Sequence, residues 1–339
     1  MSQSTGVDLF MKQFKYFKSN KPQPSLNSVI SVDITTSEVK LLECNTNYKC
    51  EDNLTQCLGL INKNKWKTYS FVQHPGLMLI RNPFTGSGQR YWIKRCLERY
   101  PKKPNKINID IEIDNLDDWW RECHKSMECD KKLLKKLRWT TLGYHHNWNT
   151  KAYSEENKTP FPEDLSELSS VVAQYLGFAK FRAEAAIVNY YHKNSTLSAH
   201  TDHSEVNLDA PLFSFSFGQS AIFLIGGREK SIEPSAILLK SGDIVVMSKE
   251  ARLCYHAVPK ILPEYHQPWN SDLSELDFNK MPSFMYISNP KETIEAMNEN
   301  IENDKWSEFE NYIKESRINI NVRQVLNEKQ ISLADEFFS

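Results

Sequence analysis

Hydrophobic residues follow two different periods along this chain. Before residue 183 the clearest apolar stripes have the helical period of about 3.6 residues, at residues 89–104, at 131–139 and after Pro162. After residue 183 the apolar runs are short and are separated by Gly, Ser, Asn and Asp, which is typical of β-strands. These runs are residues 183–192, 211–217, 221–227, 236–248 and 252–258.

Two further elements complete the pattern. Residues 291–315 are expected to form one long helix, and residues 317–326 a final strand. Because helices come first and most strands later, the sequence predicts an α+β domain whose β part is a sandwich or a jelly roll.

The first 25 residues are polar, carry evenly spaced lysines and end in the sequence KPQPS. We expect residues 1–25 to be a flexible, solvated basic arm. The spaced lysines leave a mitochondrial targeting segment as the alternative.

Charge restricts the partners that the chain can bind. The 42 Lys and Arg residues nearly cancel the 43 Asp and Glu residues, whereas a protein that grips long duplex DNA nonspecifically usually has a basic excess. Basic groups nevertheless concentrate at residues 90–106 and 130–138. These two segments could follow a phosphate backbone, and solvated helix faces are an equally good interpretation.

The seven cysteines are irregularly spaced and form no C-x-x-C motif. We interpret them as reduced thiols, not as a disulfide frame or a zinc site. No apolar run reaches the roughly 18 residues that a membrane span requires. We therefore expect a protein of the cytoplasm and nucleus, with the mitochondrion as an alternative, and no membrane partner.

The first candidate for chemistry is the His-x-Asp sequence formed by His200 and Asp202. In a strand, residues i and i+2 point to the same side with Cα atoms roughly 6.6 Å apart, so both can reach one ion. His256, in a later β-like run, could supply a third ligand and complete the two-histidine, one-carboxylate set of non-haem iron oxygenases. Taken alone, His-x-Asp is more often a surface pair, and His256 a core histidine.

The final strand suggests a second kind of site, because its polar and apolar residues alternate strictly. One face carries Arg317, Asn319, Asn321 and Arg323. Such a strand either turns its polar face to water or lines a ligand cavity with it. Since arginine forks bind carboxylates through two hydrogen bonds, the second arrangement would suit a dicarboxylate such as 2-oxoglutarate.

The strand at 183–192 repeats this arrangement. Asn189 and Tyr191 share one face, and their amide and phenol groups can orient a bound acid through hydrogen bonds.

An ordered set of segments between about Lys136 and Val325 resembles the AlkB family of Fe(II)/2-oxoglutarate-dependent dioxygenases, most closely its first animal branch. The segments are VNYY, HTDHSE, FSFGQSAIFLIGG, SGDIVVMS, RLCYHAVPKILP and RININVRQV. The resemblance implies that His200, Asp202 and His256 ligate iron. It also implies that 2-oxoglutarate is contacted by Asn189, Tyr191, Arg317, Asn319 and Arg323, with Arg317 at the distal carboxylate.

The resemblance further implies the fold and its division. We expect a double-stranded β-helix, or jelly-roll, dioxygenase core with packed helices and an N-terminal, largely helical extension. The extension would cover residues 26–130 and the catalytic region residues 131–330, with the dioxygenase core at about 177–326. Residues 327–339 would form a C-terminal tail.

Aromatic groups ahead of the β core hold the flipped base in this family, and residues 138–148 occupy that place here. The implied substrate contacts are Trp139, Tyr144 and Asn147, with Trp120 or Trp119 as weaker candidates. Core packing is an equally good interpretation of each tryptophan. His146 stands where the resemblance leads us to expect a tyrosine.

The implied reaction is oxidative demethylation of a base, with Fe(II) as cofactor and 2-oxoglutarate and O₂ as co-substrates. The base must be unpaired or flipped. Local basic segments and aromatic residues on a neutral chain fit RNA better than bulk duplex DNA. The expected substrate is therefore N1-methyladenosine in tRNA, with N6-methyladenine in DNA or 5-methylcytosine in tRNA as alternatives.

Two rival functions follow from the same residues. One is a demethylase of methyl-lysine in proteins such as histones, and the other is a nucleic-acid-binding protein without catalysis. An intact metal triad together with an intact dicarboxylate strand argues against the second. For each of these three functions we expect the protein to be a monomer.

Overall fold

The computed structural model describes residues 7–43, 51–110, 112–113, 116–276 and 281–335, in which the strands form two sheets. In chain order the elements are α1 (Leu9–Lys18), β1 (Val29–Ile30), β2 (Val39–Leu42), α2 (Asp52–Cys57), β3 (Lys67–Phe71), β4 (Leu77–Arg81), α3 (Gly86–Lys94), β5 (Lys106–Ile107), α4 (Trp119–Cys123), α5 (Lys131–Lys136), β6 (Trp139–Gly143), α6 (Glu163–Tyr175), β7 (Ala185–His192), β8 (Leu197–His200), β9 (Leu212–Gly218), β10 (Ser220–Ile225), β11 (Ser235–Leu239), β12 (Ile244–Met247), β13 (His256–Leu262), α7 (Pro290–Glu299), α8 (Asn303–Ile313) and β14 (Ser316–Arg323).

The two sheets pack face to face as a jelly roll. The smaller sheet has the strand order β1-β11-β10-β13-β8, and the larger has the order β2-β3-β4-β12-β9-β14-β7-β6-β5. Apolar side chains from both sheets, such as Leu79, Phe223 and Val245, fill part of the space between them. The outer face of the larger sheet is covered by helical residues such as Trp92, Leu168 and Phe309. The predicted α+β jelly roll with packed helices is confirmed.

Strand β14 pairs with β7 on one side and β9 on the other, and this pairing determines where its polar face points. Arg317 is opposite Tyr191 on β7, and Asn319 is opposite Asn189. The alternate residues Ile318, Ile320 and Val322 are fully buried against the helical layer. The polar face of β14 therefore looks into the jelly roll, together with that of β7.

The prediction of a flexible N-terminal arm is wrong for the part that the structure describes. Phe10, Phe14 and Phe17 lie on one side of α1 and are buried against apolar residues of the smaller sheet, including Ile222 and Leu224. The spacing i, i+4, i+7 of the phenylalanines is a helical stripe. The interleaved lysines, which suggested a solvated arm, occupy the other faces of the same helix.

The extension predicted at residues 26–130 is neither separate nor largely helical. Strand β4 pairs antiparallel with β12, so β2, β3 and β4 continue the larger sheet. A salt bridge of 2.5 Å between Arg81 and the fully buried Asp243 reinforces this junction. The strands of this region have two to five residues each, which is too short for a clear two-residue period.

The single helix predicted at 291–315 is two helices, α7 and α8. Between them the guanidinium group of the buried Arg90 donates hydrogen bonds to the carbonyl oxygens of Asn300 (3.1 Å) and Ile301 (3.2 Å). Because these oxygens bond to a distant side chain, the helix ends here. A long amphipathic pattern alone cannot reveal such a long-range partner.

Some sequence-based expectations concern residues outside the described ranges. These are the first six residues of the arm, the last four of the C-terminal tail, and Cys44 and Cys50. The other five cysteines have free thiols: Cys57, Cys96, Cys123, Cys129 and Cys254. Among the described helices, none combines the length and the apolar character needed to cross a membrane.

Candidate metal centre and adjoining cavity

Two histidines and one aspartate converge between the two sheets. The Nε2 atom of His200 lies 4.0 Å from Asp202 Oδ1, and that of His256 lies 3.8 Å from Asp202 Oδ2. One ligand atom from each residue lies within 4.8 Å of the others. This convergence was predicted, and the set is that of a facial site for non-haem Fe(II).

Backbone groups orient both imidazole rings. Nδ1 of His200 donates to the carbonyl oxygen of Ser198 (2.9 Å), and Nδ1 of His256 donates to that of Cys254 (3.1 Å). Pairing of His200 with His256 between β8 and β13 places the two rings side by side. The Nε2 atoms are thereby left as the metal-facing acceptors, as metal-binding histidines require.

Asp202 lies beyond the end of β8 and is held by two arginines, one at its carboxylate and one at its main-chain carbonyl oxygen. Arg323 donates to Asp202 Oδ2 (3.0 Å), and Arg252 donates to the Asp202 carbonyl oxygen (2.7 Å). The buried Glu205 joins the two guanidinium groups, at 2.9 Å from Arg252 and 3.2 Å from Arg323. The network fixes a ligand that secondary structure alone would leave loose.

Charge keeps this carboxylate ionised. Burial raises the pKa of Asp202, but nearby positive charge, above all that of Arg323, outweighs burial and holds that pKa well below its usual range. Burial lowers the pKa of His256 to about 4. A negative carboxylate beside neutral imidazoles is the protonation state that binds a divalent metal.

The inner chamber is a cavity of about 470 Å³ that the triad shares with the polar faces of β7 and β14. All five residues predicted to contact 2-oxoglutarate line it: Asn189, Tyr191, Arg317, Asn319 and Arg323. Two serines of β9 also support it, with Ser214 accepting from Asn319 (2.7 Å) and Ser216 accepting from Arg317 (2.7 Å). The chamber is therefore polar along one sheet and open to the metal centre.

Arg317 is prepared to bind an anion. Its guanidinium donates to Ser216 and to the Gln219 carbonyl oxygen (3.1 Å), but its Nε has no partner among the described residues. The buried hydroxyl of Tyr191, on the facing position of β7, also has none within the same part of the chain. Burial lowers the pKa of Arg317 to about 10, although Tyr191 and Asp243 act to raise it. Asp243 forms its salt bridge with Arg81, and no carboxylate of a described residue lies within 4.0 Å of the Arg317 guanidinium nitrogens. A carboxylate of a bound ligand would satisfy both unpaired groups.

A second cavity of about 350 Å³ adjoins the metal centre on its outer side and is called the mouth here. Its walls include His146, Trp148 and Tyr153, and it shares His200 and Asp202 with the inner chamber. The Tyr153 hydroxyl donates to Glu205 (3.1 Å), and the ring of His146 packs edge-on against both Trp148 and Tyr153. Burial lowers the pKa of His146. The mouth is therefore a cavity with aromatic walls beside the metal triad.

Most of the predicted substrate contacts do not reach the mouth. Trp120 stacks in the core on Phe309, with ring centroids 4.9 Å apart, and Trp119 is also fully buried. Tyr144 is buried and bonds to Glu155 instead. The structure therefore does not bring these three residues to the mouth, because their polar groups or rings are used by the fold.

The structure places the other two predicted substrate contacts, Asn147 and Trp139, in different surroundings. The Asn147 side chain accepts hydrogen bonds from the backbone N–H groups of Asn149 (2.9 Å) and Thr150 (3.2 Å), so it stabilises an exposed turn and is not a substrate contact. Trp139 does not line either cavity, but its ring lies 5.4 Å from that of Trp148, which lines both.

Sequence reasoning missed Trp148, Tyr153, Glu205 and the two serines. The serines could have been found, because Ser214 and Ser216 alternate with phenylalanines in FSFSF just as the polar residues of β14 alternate. Trp148 and Tyr153 lie in the irregular residues 144–160, where no period indicates a direction.

Comparisons with known proteins agree with this geometry. The model of the family described as "2OG-Fe(II) oxygenase superfamily" matches residues 76–323. The chain is 38% identical to the human nucleic acid dioxygenase ALKBH1, over 95% of this chain and 85% of that protein. It is 34% identical to the tRNA demethylase abh1 of Schizosaccharomyces pombe, over 77% of this chain and 82% of that protein. It is 28% identical to the DNA N(6)-methyladenine demethylase ALKBH1A of Arabidopsis thaliana, over 93% and 94%.

Proposed function

This chain belongs to the 2OG-Fe(II) oxygenase superfamily and, within it, to the AlkB family, and from that premise we propose that it oxidatively demethylates bases in nucleic acid. The family uses Fe(II), 2-oxoglutarate and O₂. We propose N1-methyladenosine in tRNA as the substrate.

One observation carries the proposal: an unneutralised, buried arginine and a metal triad share one chamber. His200, Asp202 and His256 would hold the iron. Arg317 and Tyr191 would hold the distal carboxylate of 2-oxoglutarate through their unpaired Nε and hydroxyl groups. Iron with 2-oxoglutarate and O₂ supplies the oxidising chemistry, and the protein supplies position and charge.

The remaining residues of the inner chamber would keep the co-substrate in one orientation. Asn319 is held by Ser214 and the Phe215 carbonyl oxygen, so its amide presents its oxygen toward Asn321, which donates to it (2.9 Å). Arg323 remains beside Asp202 and balances its negative charge. Such prearranged groups avoid the cost of reorienting polar side chains when the ligand binds.

The mouth supports a flat methylated base as the substrate. Trp148 and Tyr153 offer aromatic surfaces for stacking, and a base carrying a positive charge, as N1-methyladenine does, gains additionally from aromatic faces. The relative from Schizosaccharomyces pombe, named a tRNA demethylase, supports tRNA as the carrier of that base. We propose that the enzyme acts as a monomer, because the metal triad and the residues proposed to hold the co-substrate and the base form one connected site within this chain.

Mass spectrometry of nucleosides tests the proposal. The enzyme is incubated with Fe(II), ascorbate and 2-oxoglutarate, and with total tRNA, genomic DNA or methylated histone in separate reactions. We expect N1-methyladenosine to fall in tRNA while succinate accumulates, and neither to change with His200→Ala. Demethylation of histone alone would overturn the nucleic-acid assignment. Demethylation of DNA alone would keep the reaction and correct the substrate.

A further inference from the structure

Two segments of the chain have similar basic character, but they differ in whether their charges are available. In residues 90–106, Lys94 lies 3.9 Å from both Glu98 and Glu299, and Lys102 lies 2.7 Å from Asp118. Lys103 forms an ion pair with Asp110, Arg95 forms one with Asp164, and Arg90 is buried among carbonyl oxygens. Most cations of this segment therefore already have protein partners.

The lysines of α5 are different. Lys131, Lys132 and Lys135 are exposed, and none of them has a carboxylate of a described residue within 4.0 Å. Lys136 alone forms an ion pair, with the exposed Glu112 (3.0 Å). Asp130, which precedes the helix, uses its carboxylate to cap it by accepting from the backbone N–H groups of Lys132 and Leu133.

This basic helix is connected to the cavity by contacts. Arg138, two residues after the helix, accepts a hydrogen bond at its backbone carbonyl oxygen from the N–H of Tyr190 on β7 (2.9 Å). Arg138 donates to Ser195 Oγ (2.5 Å) in the turn between β7 and β8, and the exposed Lys193 lies in the same turn. The next residue, Thr196, lines the inner chamber together with Trp148.

An exposed aromatic ring stands at the end of this path. The side chain of Trp148 is 49% exposed at the mouth, and Trp139, directly after Arg138, supports it from behind. Cations that lead to an exposed ring match a single nucleic-acid strand, whose phosphates and unstacked bases need both. A duplex would offer the ring no free base face.

We propose that a basic ridge formed by Lys131, Lys132, Lys135, Arg138 and Lys193 binds the phosphates of single-stranded RNA flanking the target base and leads the strand to Trp148 at the mouth. The inference rests on the proposed function, because it assigns the path of that substrate. The exposed Glu112, paired with Lys136, borders the ridge and limits its width.

Salt-dependent binding tests the ridge. The probe is a fluorescent single-stranded RNA of roughly twelve nucleotides with one N1-methyladenosine, measured by anisotropy at several salt concentrations. The triple variant K131Q/K132Q/K135Q should bind about tenfold more weakly at low salt, and its salt slope should fall by about 0.7 for each phosphate that is no longer neutralised. The matched control K94Q/K102Q/K103Q removes the same charge from ion-paired positions and should change neither quantity.

A short substrate separates the ridge from the catalytic centre. An N1-methyladenosine trinucleotide has almost no flanking phosphates for the ridge to bind, so its turnover should be equal in the triple variant and the unaltered enzyme. The ridge alone is refuted if the unaltered enzyme binds and demethylates the longer RNA and the triple variant does so equally well, or if the control variant is the weaker binder. If the unaltered enzyme binds and demethylates neither RNA, the proposed function fails as well.

Discussion

The inner chamber and the mouth meet at the same metal centre, but they are built in different ways. The chamber is lined by regular strands, and its polar groups follow the two-residue period of β7, β9 and β14. The mouth is lined largely by two segments outside the strands, residues 201–205 after β8 and part of residues 144–160. Residues 144–160 leave β6 after Gly143 and return when Thr159 donates to the Gly143 carbonyl oxygen (3.0 Å). Gly143 has a φ of +69°, and a Cβ there would lie 2.1 Å from the Glu184 carbonyl oxygen.

This difference teaches how one fold can keep its chemistry and vary its substrate. Side chains on a central strand cannot change direction without a shift of register, so the co-substrate end is fixed. A loop can change its shape at little cost to the sheets. We therefore expect substitutions in the chamber to affect all substrates equally and those in the mouth to affect substrates selectively.

The largest effect should come from the junction of the two cavities. His200→Ala removes a metal ligand and should reduce turnover by at least about a thousandfold, because a metal contributes several kcal/mol to the reaction. The side chain is 36% exposed, so the melting temperature should change little. Turnover is measured by succinate formation and metal binding by calorimetry. His266→Ala, at an exposed histidine outside both cavities, is the control, and comparable loss in that variant would count against the triad.

The next largest effect should come from Arg317 in the inner chamber. Arg317→Leu should weaken 2-oxoglutarate binding by about a hundredfold, since removing one partner of a buried charge pair costs about 2–5 kcal/mol. Iron binding should change far less, because Arg317 does not contact the triad. Arg317→Lys keeps the positive charge but loses the two-pronged hydrogen bonding of the guanidinium group. Its affinity for 2-oxoglutarate should therefore lie between those of the leucine variant and the unaltered enzyme. An unchanged affinity for 2-oxoglutarate in the leucine variant would show that the acid binds elsewhere.

The same contrast explains what the sequence could predict. The metal ligands and all five inner-chamber residues were found because they lie on or next to strands with a clear alternation, such as that from Arg317 to Arg323. Tyr144, Asn147 and Trp120 were misassigned because their partners, Glu155, a turn backbone and Phe309, depend on tertiary contacts. The docking of α1 was missed for a different reason, since its lysines hid the stripe of phenylalanines.

A smaller effect should appear at Glu205, which connects the two parts. Its carboxylate bonds to Arg252, Arg323 and the Tyr153 hydroxyl. Glu205→Gln should weaken iron binding about tenfold, as loss of a group that orients a metal ligand does, and should affect 2-oxoglutarate less. Calorimetric titrations with Fe(II) and, separately, with 2-oxoglutarate give the two dissociation constants. Glu250→Gln makes the same change at an exposed position and should have no effect; equal iron affinity in Glu205→Gln and the unaltered enzyme would deny Glu205 this positioning role.

The mouth should show selectivity for the nucleic acid. Trp148→Ala should raise the KM for a methylated RNA about tenfold, because stacking of one base on an aromatic ring is worth about 1–3 kcal/mol. The affinity for iron should be unaffected. Tyr144→Phe and Asn147→Ala are the matched controls, since neither residue lines the mouth, and steady-state kinetics on one RNA compares all three. A larger rise in KM for either control would show that the base is held by that residue instead.

The smallest expected effect is a loss of protection in the mouth at acid pH. His145 is buried at the base of residues 144–160. Its N–H donates to the Asn157 carbonyl oxygen (2.8 Å), its own carbonyl oxygen accepts from the Asn157 side-chain amide (2.9 Å), and its Nδ1 lies 2.7 Å from Thr141 Oγ1. Burial, with a contribution from Lys106, lowers its pKa to about 4. The unfolded segment therefore takes up a proton as the pH falls from about 6.5 to about 4, while the folded one does not, so the free energy of opening falls across that window. His145 contributes its full stability above pH 6.5.

Arg317 has no such transition, because its pKa of about 10 lies far above the window. Hydrogen exchange measured at about pH 6.5 and about pH 5.5, and corrected for the intrinsic rate at each pH, should show residues 144–160 losing about 1 kcal/mol of protection, or roughly fivefold in rate, while residues 316–323 keep theirs. His145→Gln cannot take up the proton and should flatten the dependence. If residues 316–323 lost protection first, the chamber would not be the more rigid part. If the glutamine variant kept the full pH dependence, His145 would not be its cause.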